Sequence, residues 1–221
     1  MPTGQRSRRR APQVPPTTVV VMVRHGATPT TGTVLPGRAR GLHLSDAGRA
    51  QAQATADRLA GTGAFAAVYS SPLERARETA APIAKALGLK VTVERGLLEC
   101  DFGEWTGAEL KTLFKKPEWR TVQRWPSGFR FPGGESFPEM QTRMVDTLAR
   151  LRERHRGGRI VVVSHADPIK AALADALGTP LDLFQRIVIS PASVSSVAYG
   201  DTGPTVLAVN SVGPQQELHP S

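Results

Sequence analysis

Two apolar, largely β-branched runs each end in a polar group that contains histidine: residues 18–23 pass into Arg24-His25-Gly26, and residues 159–163 into Ser164-His165-Ala166. Runs of this kind, without polar alternation, read as buried strands. Ligands of an open α/β sheet bind at the carboxyl ends of its strands, so both histidines are expected on one edge. A shorter run, 66–70, leads to Ser71-Pro72-Leu73-Glu74-Arg75 and puts Arg75 on the first turn of a helix at that edge; residues 91–93 lead on to Glu99. Two guanidiniums offer planar donor forks for phosphate oxygens, and a helix N-terminus adds backbone donors. A neutral imidazole is a nucleophile toward phosphorus, neighbouring cations keep its lone pair free, and a carboxylic acid can protonate an alkoxide leaving group. Ordinary alternatives stand beside each reading. A lone His25 or His165 could be a buried or capping residue, and Arg75 could pair on the surface with Glu74 or Glu78, although a cation near a helix N-terminus opposes the dipole. Asp101 and Glu104 compete with Glu99 as proton donor.

The elements that must position these residues follow from pattern and caps. Ser45 is a suitable N-cap for a helix from residue 46 to about 60, and Ser71-Pro72 opens a second helix that runs to 87 before Gly88. With strands at 18–23, 66–70 and 91–93, the order strand, helix, strand, helix, strand implies right-handed crossovers and a parallel sheet. Residues 107–138 interrupt it: Lys116-Pro117, Trp125-Pro126 and Phe131-Pro132 oppose continuous helix, and the stretch is expected to form a small inserted cap. A long helix is expected over 136–155, then a strand at 159–164, a helix at 168–177, and two last strands at 194–199 and 206–210 joined by a turn at 200–204. The fold class is α/β, a three-layer α/β/α arrangement with a mostly parallel central sheet and a small cap.

The chain has 221 residues, 40% of them hydrophobic, which suits one domain at 18–212 with the small insertion at 107–138. Its formal net charge is +9, but Arg6, Arg8, Arg9 and Arg10 lie in a segment, 1–17, whose composition favours a disordered tail. Residues 213–221 read as a second flexible tail. Specific nucleic-acid binding is not expected from so short a basic run. One cysteine, Cys100, excludes an intrachain disulfide and Cys-based zinc sites, and it reads as a small structural residue. No apolar run reaches membrane-spanning length, so a cytoplasmic protein without membrane contact is expected, as monomer or homodimer. Trp105, Trp119 and Trp125 are expected to pack in the core or cap.

Five motifs occur in order: Arg24-His25-Gly26; Leu44-Ser45-x-x-Gly48-x-x-Gln51-Ala52; Ser71-Pro72-Leu73-x-Arg75-Ala76-x-Glu78-Thr79; Leu97-x-Glu99-x-x-x-Gly103-x-Trp105-x-Gly107; and Val162-Val163-Ser164-His165. Together they resemble the histidine phosphatase superfamily, the phosphoglycerate mutase-like family, over nearly the whole chain between its tails. The resemblance implies that His25 is the phosphorylated nucleophile. It implies that Arg24, Arg75 and His165 hold the phosphoryl group, and that Glu99 protonates the leaving oxygen and later deprotonates water. It also implies phosphate or substrate contacts from Thr28 and Thr31 and at Ala166, with Arg38 as a further substrate contact, and no metal or other cofactor. Ala166 stands where many members have Gly, and Asp167 brings a negative charge to the phosphate site.

The expected function is a metal-independent phosphomonoester hydrolase acting through phosphohistidine on a small phosphorylated metabolite. A phosphoglycerate mutase-type phosphotransferase is the alternative, and a catalytically weak phospholigand-binding protein is a second one. The short stretch between Glu99 and His165 offers little material for the lid that a family mutase needs, which favours hydrolysis.

Overall fold

The computed structural model describes residues 16–213. The expected tails at 1–17 and 213–221 therefore lie outside the described residues, except for Pro16, Thr17 and Gly213, which belong to no strand or helix. Strand β1 (Thr18–Arg24) is followed by α1 (Asp46–Ala60), β2 (Ala67–Ser70), α2 (Glu74–Ala86) and β3 (Val91–Val93). The cap helices α3 (Leu110–Leu113) and α4 (Pro117–Arg124) come next, then α5 (Phe137–Arg154), β4 (Arg159–Ser164), α6 (Ala166–Ala176), β5 (Val194–Gly200) and β6 (Gly203–Ser211).

The six strands form one sheet in the order β3-β2-β4-β1-β5-β6. The first four in that order run parallel, while β5 and β6 are antiparallel additions, so the sheet is mostly parallel. Strand periodicity sorts the side chains to two faces. Val20, Met22, Ile160 and Val162 pack with Met144, Leu148, Ile169 and Leu173 of α5 and α6. Val21, Val23, Val161 and Val163 pack with Ala56, Leu59, Ala80 and Ile83 of α1 and α2. This is the three-layer arrangement expected from the sequence.

A third cluster fills the cap and its base, with Phe102, Trp105, Leu113, Val122, Phe131 and Phe137 among its buried members. The cap is tied to the chain just beyond His25: Gly107 N donates to Leu35 O at 2.8 Å, Leu35 N to Ala108 O at 2.9 Å, and Leu110 N to Thr33 O at 2.9 Å. Two of the three cap prolines start a helical turn where the sequence leads one to expect a break. Pro117 and Pro126 each occupy an early position of a helical turn, where a missing N–H leaves nothing unpaired. Ser136 and Glu139 form a capping box at the start of α5, as the expected start at 136 requires.

One boundary moves in a way that bears on the site. Helix α6 begins at Ala166, two residues before the expected start at Pro168, with His165 as its N-cap residue. Pro168 sits in the first turn, where backbone N–H groups have no intrahelical partner, so it does not delay the helix. The final turn is also tighter than expected, with β6 starting at Gly203. No helix among the described residues is long and apolar enough to cross a membrane.

Candidate active site

Register brings the two histidines together. Strands β1 and β4 are parallel neighbours with Val23 opposite Val163 and Arg24 opposite Ser164, so the residue after each strand emerges at the same level. The rings of His25 and His165 meet edge to face with centroids 5.2 Å apart. On the other side of β4, Ser70 lies opposite Val163, and the chain turns there into α2. Its second residue, Arg75, is completely buried. The surface ion pair that would have explained it is absent: Glu78 bonds His43 Nδ1 and Leu44 N instead.

Hydrogen bonding fixes the state of His25. Nδ1 lies 2.8 Å from the Gly26 carbonyl oxygen, which can only accept, so Nδ1 carries the proton and Nε2 keeps the lone pair. Arg75 Nε donates to that Nε2 at 3.3 Å, and Arg75 Nη2 donates to Gly37 O at 2.7 Å. Burial first, then Arg75 and Arg24, hold the His25 pKa well below its ordinary value, and similar causes depress His165. Both rings are therefore neutral near pH 7.

Arg24 Nη1 donates to Ile189 O at 2.6 Å, and His165 Nε2 is 2.8 Å from Ser71 Oγ. Three buried polar atoms around His25 have no partner: Arg24 Nε, Arg75 Nη1 and His165 Nδ1. Desolvated groups left without a partner are costly. An anion with several oxygens would satisfy those that carry a proton.

The motif residues that bear no catalytic group hold the His25 loop. Thr79 Oγ1 accepts from Gly26 N at 3.0 Å, and Gln51 Oε1 accepts from Ala27 N at 2.9 Å. Ser45 caps α1 through Gly48 N and also donates its hydroxyl to Ala27 O. The loop packs so closely on α1 that a Cβ on Gly48 would overlap the Ala27 carbonyl, and a Cβ on Gly26 the Gly48 carbonyl. The sequence signalled these positions without their roles.

Glu99 is buried and lines the same cavity, of about 330 Å³, as Arg24, His25, Thr28, Thr31 and Ala166. Burial, with the Asp167 charge second, pushes its pKa up to about 7, so a large share of it is protonated at neutral pH. Its competitors are otherwise placed: Asp101 pairs with Arg38, and Glu104 is exposed. Thr28 and Thr31 hold one another, Thr28 N donating to Thr31 Oγ1 at 2.8 Å. Ala166 needs no glycine, because it begins α6 and is not a positive-φ residue.

Arg38 does not join the set. It points beneath the acid, donating to the Glu99 carbonyl at 2.9 Å and pairing with Asp101 and Glu135, so what the structure shows for it is a brace on the Glu99 main chain. Arg143, missed in the sequence, works beside it: Nη1 donates to Gly96 O and Leu98 O, and Nη2 to Glu99 O at 3.3 Å. A cation flanking the apolar stripe of α5, three residues after Met140 and four before Thr147, was the available signal. Asp167, Lys170 and Gln185 also reach the cavity, with Lys170 Nζ 3.3 Å from Asp167 Oδ1 and 3.0 Å from Gln185 Oε1. Cys100 is buried, a structural position, and burial pushes its thiol pKa up. Trp105 is buried in the cap base, stacked near Trp119, whereas Trp125 is mostly exposed.

The profile described as Histidine phosphatase superfamily (branch 1) matches residues 20–212. Phosphoserine phosphatase 1 of Hydrogenobacter thermophilus is 33% identical over 198 residues, 86% of this chain and 91% of that protein. A bifunctional protein of Mycobacterium tuberculosis is 35% identical over 206 residues, 89% of this chain but 54% of its own length, so the chain spans about half of that relative. Among solved structures, a mycobacterial glucosyl-3-phosphoglycerate phosphatase superposes with a TM-score of 0.78 at 26% identity, covering 88% of this chain and 99% of the other. An Entamoeba histolytica phosphoserine phosphatase variant in complex with phosphoserine gives 0.80 at 25% identity, covering 88% and 98%.

Proposed function

Because the chain belongs to the histidine phosphatase superfamily, we propose that it hydrolyses phosphate monoesters of small molecules through a phosphohistidine at His25, without a metal ion. The observation that carries this reading is the fixed tautomer of His25: its lone pair sits on Nε2, beside Arg75 and within a ring of buried donors. In the first step Nε2 attacks phosphorus, the ester P–O bond breaks, and Glu99 gives its proton to the departing alkoxide. Arg24, Arg75 and His165 hold the phosphoryl oxygens as charge shifts onto them. Thr28 and Thr31 line the approach. In the second step the Glu99 carboxylate takes a proton from water, whose oxygen attacks phosphorus; the N–P bond breaks, freeing phosphate and neutral His25. Glu99 begins each cycle as an acid, for which a pKa of about 7 is suited. A cytoplasmic setting belongs to the same reading, supported by a chain with one cysteine and hence no internal disulfide.

Hydrolysis is preferred over mutase-type transfer because several relatives matched over most of both chains carry phosphatase names. Phosphate release from p-nitrophenyl phosphate tests the reading. Release that persists with a chelator and is lost in His25→Ala is expected; undiminished release by His25→Ala overturns it.

A further inference from the structure

The phosphate-binding cavity does not end at Glu99. A second cavity, of about 460 Å³, adjoins it, and the two share Leu35, Phe102, Leu110, Asp167 and Gln185 as walls. The added walls come mainly from the cap: Phe114, Trp119, Val122 and Phe131. A leaving group bound with its phosphoryl at His25 has this space next to it.

We propose that this second cavity receives the apolar part of an uncharged alcohol, so that the favoured substrates are phosphate monoesters of aryl-bearing or branched aliphatic alcohols, not phosphorylated amino or hydroxy acids. The proposal rests on the phosphatase reading of the first cavity. Three features support it. Phe114 forms part of the wall yet is 58% exposed, its ring 5.1 Å from that of Trp119, so a large aromatic surface is open to an occupant. Among the described residues, none that lines the second cavity is a cation, and the one charged wall is Asp167, at the junction with the first. A carboxylate carried by the leaving group would meet that negative charge in a largely apolar space, without a counter-ion. Lys170, a cation of the first cavity beside Asp167, is already shared between Asp167 and Gln185. Gln123 and Gln185 leave room for one or two neutral hydrogen bonds, which would orient an alcohol without requiring charge.

The test compares monoesters of similar leaving-group basicity, so that intrinsic reactivity does not imitate recognition: ethyl phosphate, 2-phenylethyl phosphate and phosphoserine, with p-nitrophenyl phosphate as a reactive control. Burying a phenyl group predicts a kcat/KM for 2-phenylethyl phosphate about 10- to 100-fold above that for ethyl phosphate, with phosphoserine at or below ethyl phosphate. Phe114→Ala should reduce the phenylethyl-to-ethyl ratio by about 3- to 10-fold. Phe114→Lys should reduce it as well and raise phosphoserine turnover relative to ethyl phosphate. Rapid hydrolysis of the control with equal turnover of the ethyl and phenylethyl esters, or with phosphoserine preferred, overturns the apolar subsite and leaves the phosphatase reading standing. Failure to release phosphate from all four esters overturns the phosphatase reading and this proposal with it.

Discussion

The two walls of the substrate cavity are built on different principles. On the sheet side every reacting group is held by directional bonds: Gly26 O fixes His25, Ile189 O fixes Arg24, Gly37 O fixes Arg75, and Arg38 with Arg143 fix the Glu99 main chain. On the cap side aromatic rings hold one another. Phe131 alone lies within 4.8 to 5.5 Å, centroid to centroid, of Phe102, Phe129, Phe137 and Trp105. Directional bonds demand particular residues at particular places, whereas packing demands volume and shape. On the proposed function, the reacting groups thus sit where particular residues are demanded, and the walls that face a leaving group where volume and shape are demanded.

The contrast can be broken from either side. Glu99→Gln keeps shape and hydrogen bonding but removes the transferable proton, and kcat for an alkyl ester should fall by about 10²- to 10⁴-fold. A nitrophenolate leaving group needs less protonation, so its kcat/KM, which reports the first step and not the shared second one, should suffer less, and equal losses of kcat/KM for both esters would remove Glu99 from the acid role. Gly48→Ala touches no substrate. Its Cβ would nonetheless displace the Ala27 carbonyl and the loop that carries His25, and a loss of about 10²-fold in kcat is expected with the fold retained by circular dichroism. Full activity in that variant would show that the loop is not held as tightly as its hydrogen bonds imply.

The pH dependence sharpens the sheet side further. Glu99 must begin protonated and its pKa is raised to about 7, so kcat/KM should fall as pH rises through about 7. Asp167→Asn removes a charge that favours the proton, and this descending limb should move to lower pH. A limb that moves upward would contradict the assigned cause. His25 stays neutral well below 6.5 and should add no acid limb near that pH. On the cap side, Phe131→Leu should lower stability by about 1 to 2 kcal/mol in urea unfolding while changing kcat for ethyl phosphate less than about 3-fold. A loss comparable to that of Gly48→Ala would mean the cap also positions the reacting groups.

These differences explain what could be read from residues alone. The strands ending at Arg24 and Ser164 were legible because fully buried strands leave long β-branched runs, and their histidines stand where the runs stop. Capping chemistry placed α1 and α5 to within a residue at their starts. The start of α6 at Ala166 was not legible, because a first turn accepts proline at several positions and Pro168 does not mark the first residue. The helices of the cap were missed for the same reason, since Pro117 and Pro126 looked like breakers. The bracing role of Arg38 was not legible, because its partners, Asp101 and Glu135, are 63 and 97 residues further along the chain. No local pattern encodes such a pairing. The raised pKa of Glu99 depends likewise on burial and on Asp167, which only the folded chain brings near.

On the proposed function, phosphate passes through a covalent bond to His25 Nε2. Rapid quenching of the protein during turnover of a ³²P-labelled monoester, under alkaline conditions that preserve phosphohistidine, followed by peptide mapping, tests it most directly. The account predicts acid-labile label on the peptide containing His25, formed and lost at rates consistent with turnover. Turnover with label on another residue, or with no labelled protein even when Glu99→Gln slows the second step, would contradict it.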